Sequence, residues 1–259
     1  MPDQGACEVM DGVLGLSLGK EALMNGLLET LRSKLRSVAD PEKAKVLQRF
    51  FKTGPGEYGE GDVFIGIQVP ALRKFARENR DLDEPSLQVL LRSSVHEERM
   101  LSLLIFIQKY VRGTEEERKK IYDFYLVNTS FINNWDLVDL SAEHVVGHFL
   151  MRGSRRPLYQ LAKSKSLWER RIAILATFHF IKQHEFSDTL KIAAILLSDK
   201  EALIQKAVGW MLREVGKRDL EAEERFLMKS YQKMPRPMLR YAIERFPEEK
   251  RKRYLKGDM

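Results

Sequence analysis

One cysteine, Cys7, is all that 259 residues contain. An intramolecular disulfide framework and a cysteine-rich zinc site are thereby excluded, and a reduced, intracellular setting fits. No apolar run approaches the roughly 20 residues that a membrane-spanning helix needs. A secretory leader is poorly supported too, because the N-terminal segment carries Asp3, Glu8 and Asp11 and only a short apolar patch from Val13 to Leu18. Residues 1–19 hold four glycines and no clear period. They are expected to form a flexible, loosely ordered extension to one domain over 20–259. Sustained period-two alternation is also missing, which argues against a sheet.

What is present is apolar enough to fold: 44% of residues are hydrophobic and 31% are charged. The length suits one large domain or two small ones. The formal charge is +7, and it is concentrated. Between Met151 and Arg218 there are 14 Lys or Arg against 6 Asp or Glu, a local +8 that leaves the rest of the chain at −1. A basic section of this kind points to a polyanionic partner.

Apolar residues recur at three and four through most of the chain, as in amphipathic helices. Lys20 to Val38 places Leu23, Leu27, Leu28, Leu31 and Leu35 on one such pattern. Asp40-Pro41-Glu42 opens the next helix, with Asp as cap and Pro at the first position; it carries Val46, Leu47, Phe50 and Phe51. Residues 53–62 then bring four glycines and a proline within ten residues, a loop with special backbone angles. It lacks the Gly-Lys-Ser/Thr ending of a phosphate loop, and its carboxylates would repel phosphate. Further helices start at Val69-Pro70, Asp83-Glu84-Pro85, His96 and the capping box Thr114-Glu115-Glu116-Glu117. The chain is expected to be all-α, with roughly fourteen helices joined by short connections.

The stretch Asn133-Asn134-Trp135-Asp136-Leu137-Val138-Asp139 opens a helix capped by one of its asparagines. Trp135 and Asp139, four apart, share a face, and an indole beside a carboxylate can hold a cation. Trp135, Arg171 and Trp210 fall in three helices at steps of 36 and 39 residues. Those steps suit the two-helix hairpins of an α-solenoid with HEAT-like repeats, in which successive units line one surface. Trp135, Asp139, Arg171 and Trp210 could therefore converge. Arg170 and Arg171 open the second helix as candidate phosphate clamps. In the third, Lys206 and Arg213 flank Trp210, an arrangement fit for a sugar or base with cations on phosphates. Gly209, inside that helix, implies close approach of a neighbouring backbone or ligand.

Ile204 to Glu214 (Ile-Gln-Lys-Ala-Val-Gly-Trp-Met-Leu-Arg-Glu) closely resembles the signature of the AlkD-type DNA glycosylases, the HEAT-like-repeat DNA alkylation repair family. The resemblance extends to Trp135–Asp139, to Trp168–Leu175 and to Phe64–Pro70, over roughly residues 25–245. It implies an α-solenoid that grips duplex DNA containing alkylated bases and hydrolyses the N-glycosidic bond of cationic N3- or N7-alkylated purines. It implies no metal and no organic cofactor. Matched by motif, Asp139 is the catalytic carboxylate, and Trp135 and Trp210 line the lesion's deoxyribose. Arg171 contacts the DNA backbone, and Gln68 and Arg213 are groove residues. Asn134, Ala202 and Leu203 depart from the aromatics that some members carry there.

The chemistry agrees. An alkylated purine is already cationic and leaves without protonation, so one carboxylate can stabilise the oxocarbenium-like sugar and position water. The expected protein is a cytoplasmic, nucleoid-associated monomer with no membrane contact. Two alternatives are a non-catalytic binder of damaged or branched DNA on the same fold and a helical-repeat protein scaffold. His144 and His148, spaced i, i+4, lack an obvious third metal ligand.

Overall fold

The computed structural model describes residue 24 and residues 26–259. The extension expected at 1–19 lies outside these, as do Leu23 and the other first residues of the helix expected from Lys20. The described chain forms two compact units, up to Ser102 and from Leu103 to Met259. Among the described residues there is no strand, only an isolated pairing of Val63 with Val95.

The first unit holds α1 (26–37), α2 (Pro41–Phe50), α3 (Val69–Glu78), α4 (Glu84–Leu91) and the start of α5 (His96–Arg112). Local chemistry sets their starts. The Asp40 carboxylate accepts from the amides of Glu42 and Lys43, with Pro41 in the first turn, and Asp83 accepts from Ser86. In α1 the buried stripe is Leu28, Leu31 and Leu35, while Leu27 is exposed, 100° around the helix from Leu28. α2 buries none of its residues. Val46 and Phe50 are one turn apart on its outer face, and Phe51, just after it, turns into the core.

The glycine-rich loop is tied down at its end. Gln48 donates to the Asp62 carbonyl (2.8 Å) and accepts from the Phe64 amide (2.9 Å). The buried Asp62 carboxylate meets His96 Nδ1 at 3.1 Å and Arg99 Nη2 at 2.5 Å. Glu97 accepts from the amides of Ile65, Gly66 and Ile67. The backbone donors just beyond the loop are thus already occupied by a carboxylate of the chain.

The second unit continues with α6 (Glu115–Val127), started by the expected box in which Thr114 and Glu117 bond each other's backbone. α7 (Trp135–Ala142) runs through a π turn (Glu143–Gly147) into α8 (His148–Leu150). Next come α9 (Arg156–Leu161), α10 (Leu167–Ala176), α11 (Phe178–Lys182), α12 (Ser187–Ile195) and α13 (Ala202–Gly216). The chain ends with α14 (Leu220–Ser230), α15 (Arg236–Ala242) and α16 (Glu248–Lys256). α7, α10, α13 and α15 pack in succession, each on the next, while α9 and α12 pack on α10, and α12 and α14 on α13. This is the expected stack of helical hairpins.

The row is tight because glycine stands at the crossings. A Cβ on Gly209 would lie 2.4 Å from the Met238 carbonyl of α15, and one on Gly147 would lie 2.2 Å from the Ala176 carbonyl of α10. The partner implied by Gly209 is therefore a neighbouring backbone. Beneath the row lie Leu137 and Val138 of α7, Val146 of the π turn, Ile172 to Ala176 of α10, and Val208, Met211 and Leu212 of α13, all buried.

Candidate active site

Asn134 caps α7, its side chain accepting from the Trp135 amide at 2.8 Å. The cap fixes the start of the helix, and Asp139 follows Trp135 one turn on, over the buried Leu137 and Val138. Across the α7–α10 contact stands Arg171. Its Nε and Nη2 donate to the two Asp139 oxygens, each at 2.8 Å, and its Nη1 donates to the Leu203 carbonyl of α13 at 2.6 Å. One guanidinium thus links three successive helices of the row.

The pair is unequal in exposure: the Arg171 side chain is 7% exposed and that of Asp139 21%. The carboxylate is the member that solvent, or a ligand, can reach. Burial pushes the Asp139 carboxyl above the usual carboxylate range, Asp136 adds to that, and Arg171 opposes both. A bidentate fork also fixes the plane of the carboxylate.

The two indoles are half-buried. Trp135 lies one turn before Asp139. Trp210 lies seven residues beyond Leu203, about 10 Å along α13. Its Nε1 donates to Glu214 (3.3 Å), and its ring stands 6.0 Å from that of Phe178 at 54°. In register, Arg171 is matched to Asp139 and Leu203, not to the two tryptophans as the steps of 36 and 39 suggested.

Three arginines expected at the DNA backbone have partners within the protein. Arg171 is turned onto Asp139 and Leu203. Arg170 donates to Asp199 (2.6 Å) and to the carbonyls of Ser164 and Lys165, fastening the start of α10 to the approach to α13. Arg213 pairs with Glu244, and its buried Nε has no partner. Each arginine is used inside the protein because a carboxylate or carbonyl of the next hairpin lies within reach. Lys206 is exposed on α13, as a phosphate contact requires. Gln68 is exposed at the cap of α3, in the first unit, with its side chain not engaged in capping.

Sequence reasoning missed Phe178, whose ring lies beside that of Trp210, and Lys182 and Glu143, which pair next to Phe178. Lys182 bonds Glu143 and stands 4.4 Å from the Phe178 ring centre. The available signal was helical spacing, since Glu143 is one turn beyond Asp139 and Phe178 two turns beyond Arg171. Of the histidine pair, His148 is engaged through Nδ1 with the Tyr110 hydroxyl at 2.9 Å, and burial lowers its pKa. Among the described residues no group of three His, Cys, Asp or Glu side chains is placed to hold a metal.

Fold and site together define a helical-hairpin protein with a partly exposed, arginine-oriented carboxylate. The chain belongs to the family of DNA alkylation repair enzymes, whose model matches residues 31–246. It folds like a protein of Enterococcus faecalis described as a predicted DNA alkylation repair enzyme, at 18% identity and a TM-score of 0.62, covering 81% of this chain and 97% of that one. It also resembles AlkD2 from Streptococcus mutans, at 18% identity and a TM-score of 0.51, covering 87% of this chain and 99% of that one. No curated protein matches. The family carries the expected resemblance and an enzyme's role in DNA alkylation repair. No helix among the described residues is long and apolar enough to cross a membrane.

Proposed function

We propose that the protein is a monofunctional DNA glycosylase that removes cationic N3- or N7-alkylated purines from duplex DNA. The observation that carries this is the Asp139 carboxylate: gripped through both oxygens by a nearly buried arginine, yet itself still open to solvent. Such an acid keeps its negative charge in a partly desolvated setting, where charge acts more strongly than in water. As the bond to a cationic purine breaks, positive charge passes to the sugar. Asp139 then stabilises that cation and orients the attacking water. Trp135 and Trp210 offer π faces, which favour a cationic sugar over a neutral one. Arg171 acts as a positioning residue, and Lys206 supplies a phosphate contact, so binding and bond cleavage rest on different side chains.

The reading is tested by incubating the protein with duplex DNA methylated at purine nitrogens. Free 7-methylguanine or 3-methyladenine should appear, together with alkali-labile abasic sites, and none from untreated duplex. A non-catalytic binder of damaged or branched DNA is the second reading. It is favoured by the way Arg171 already satisfies both Asp139 oxygens. Tight binding of the methylated duplex with no base released would establish it.

A further inference from the structure

One side of α7 faces out of the protein. Leu137, Val138, Ser141 and Ala142 are buried, and the four residues left, Trp135, Asp136, Asp139 and Leu140, are partly exposed. At about 100° per residue these four span a single arc of about 140°, and within it Asp136 stands about 60° from Asp139. Side chains three apart on a helix are neighbours, with roughly 5–6 Å between their Cβ atoms. Because side chains lean towards the helix N-terminus, Asp139 lies over the turn that carries Asp136. The two charges also sense each other, since Asp136 is one of the groups that raise the Asp139 pKa.

The surroundings of the two acids differ. Both Asp139 oxygens receive an Arg171 N–H at 2.8 Å. A proton added to Asp139 would break that fork and leave Arg171, 7% exposed, as an unpaired buried charge. It would also remove the negative charge that the sugar cation needs. Asp136 lies in the first turn of α7, with Oδ1 accepting from the Leu137 amide at 2.8 Å. A helix N-terminus favours an anion there, and a proton taken up by Asp136 leaves the fork between Arg171 and Asp139 intact.

We propose that Asp136 is the general base of the reaction, accepting a proton from the water that Asp139 orients. The proposal rests on the glycosylase reading above and divides its carboxylate chemistry between two side chains. As the C1′–N bond breaks, its electron pair returns to the purine and neutralises the charge of the ring. The water oxygen bonds to C1′, and one water proton passes to Asp136 and then to solvent. Asp139 stays ionised throughout.

The test is single-turnover release of 7-methylguanine from methylated duplex by the full chain, with and without sodium azide. Asp136→Asn keeps an oxygen for the Leu137 amide, and it should slow release at least about a hundredfold, the lower end of what general base catalysis contributes. Azide attacks C1′ with no proton to lose, so it should speed release by Asp136→Asn at least about tenfold and leave an azido sugar in place of an abasic site. Release by Asp136→Asn at the wild-type rate, or a loss that azide does not relieve, overturns the proposal; the second outcome is that of a merely structural residue. Should Asp136→Asn lose its cooperative melt, the wild type decides. Slower release in heavy water than in light water on the pH plateau supports the proposal, and equal rates overturn it. If the wild type releases base and Asp136→Asn matches it, only this proposal fails. If the wild type releases none, the glycosylase reading fails with it.

Discussion

Arg171 is held by Asp139 and Leu203. Arginine near DNA is ordinarily a phosphate contact, but here each of the three guanidinium nitrogens donates one bond inside the protein. Replacing it with alanine should therefore reduce base release far more than DNA affinity, and leave the salt dependence of binding unchanged. Lys206→Ala should do the reverse, weakening binding and reducing the slope of log K against log salt by about one. Measuring both slopes on the same duplex separates the two residues. A fall in slope for Arg171→Ala would return it to the phosphate contacts.

The same pair fixes the pH response. A carboxylate that must be ionised loses activity as pH falls through its pKa, and burial places that of Asp139 above the usual range. The acid limb of single-turnover base release should accordingly lie at higher pH than for a freely exposed aspartate. Removing Arg171, whose charge lowers the value, should move the limb further up. A limb that stays put in Arg171→Ala would separate the rate-controlling ionisation from Asp139.

At the scale of the elements, the crossing of α13 with α15 depends on the absence of a side chain. Gly209→Ala gains helix propensity of about 1 kcal/mol, but its methyl group would meet the Met238 carbonyl at 2.4 Å. Overpacking of that kind costs about 1–3 kcal/mol. The expected outcome is a lower denaturation midpoint, and a raised midpoint would mean that the helices can part at no cost. The helices themselves were legible because their signals are local. Asp40 with Pro41, Asp83, Thr114 with Glu117 and Asn134 each start a helix from within a few residues. The ion pairs were not, because Asp139 and Arg171 are 32 residues apart and Arg170 and Asp199 are 29 apart. Which arginine meets which acid is decided by the offset of neighbouring hairpins, and helical period says nothing about that offset. Val46 and Phe50 are exposed for a related reason, since a pattern names an apolar face but not whether anything covers it.

For the whole molecule, the charge of +7 overstates the number of arginines free to bind a polyanion. In the basic section, Arg155, Arg170, Arg171 and Arg213 are all paired with carboxylates. Lys163, Lys165, Lys200 and Lys206 are exposed, and lysines of this kind should carry most of the salt-dependent attraction. Stability should also depend on pH through Glu223. Its side chain is buried with Oε1 lacking a hydrogen bond, and burial together with Glu224 pushes its pKa up to about 8. A pKa raised in the folded state means that the protonated form is the stable one. The contribution is full below the ordinary glutamate range and is lost as pH rises to about 8. Glu223→Gln should flatten that part of the stability profile, and an equal decline in both proteins would place the titrating group elsewhere.

The central claim is that Asp139 is the group that breaks the glycosidic bond, and it is tested most directly by single-turnover release of 7-methylguanine from one duplex by the wild type and by Asp139→Asn. The account predicts release by the wild type, loss of at least about a hundredfold in the mutant, in line with removal of one preorganised charge, and undiminished duplex binding in both. Equal rates of release from the two proteins would contradict it.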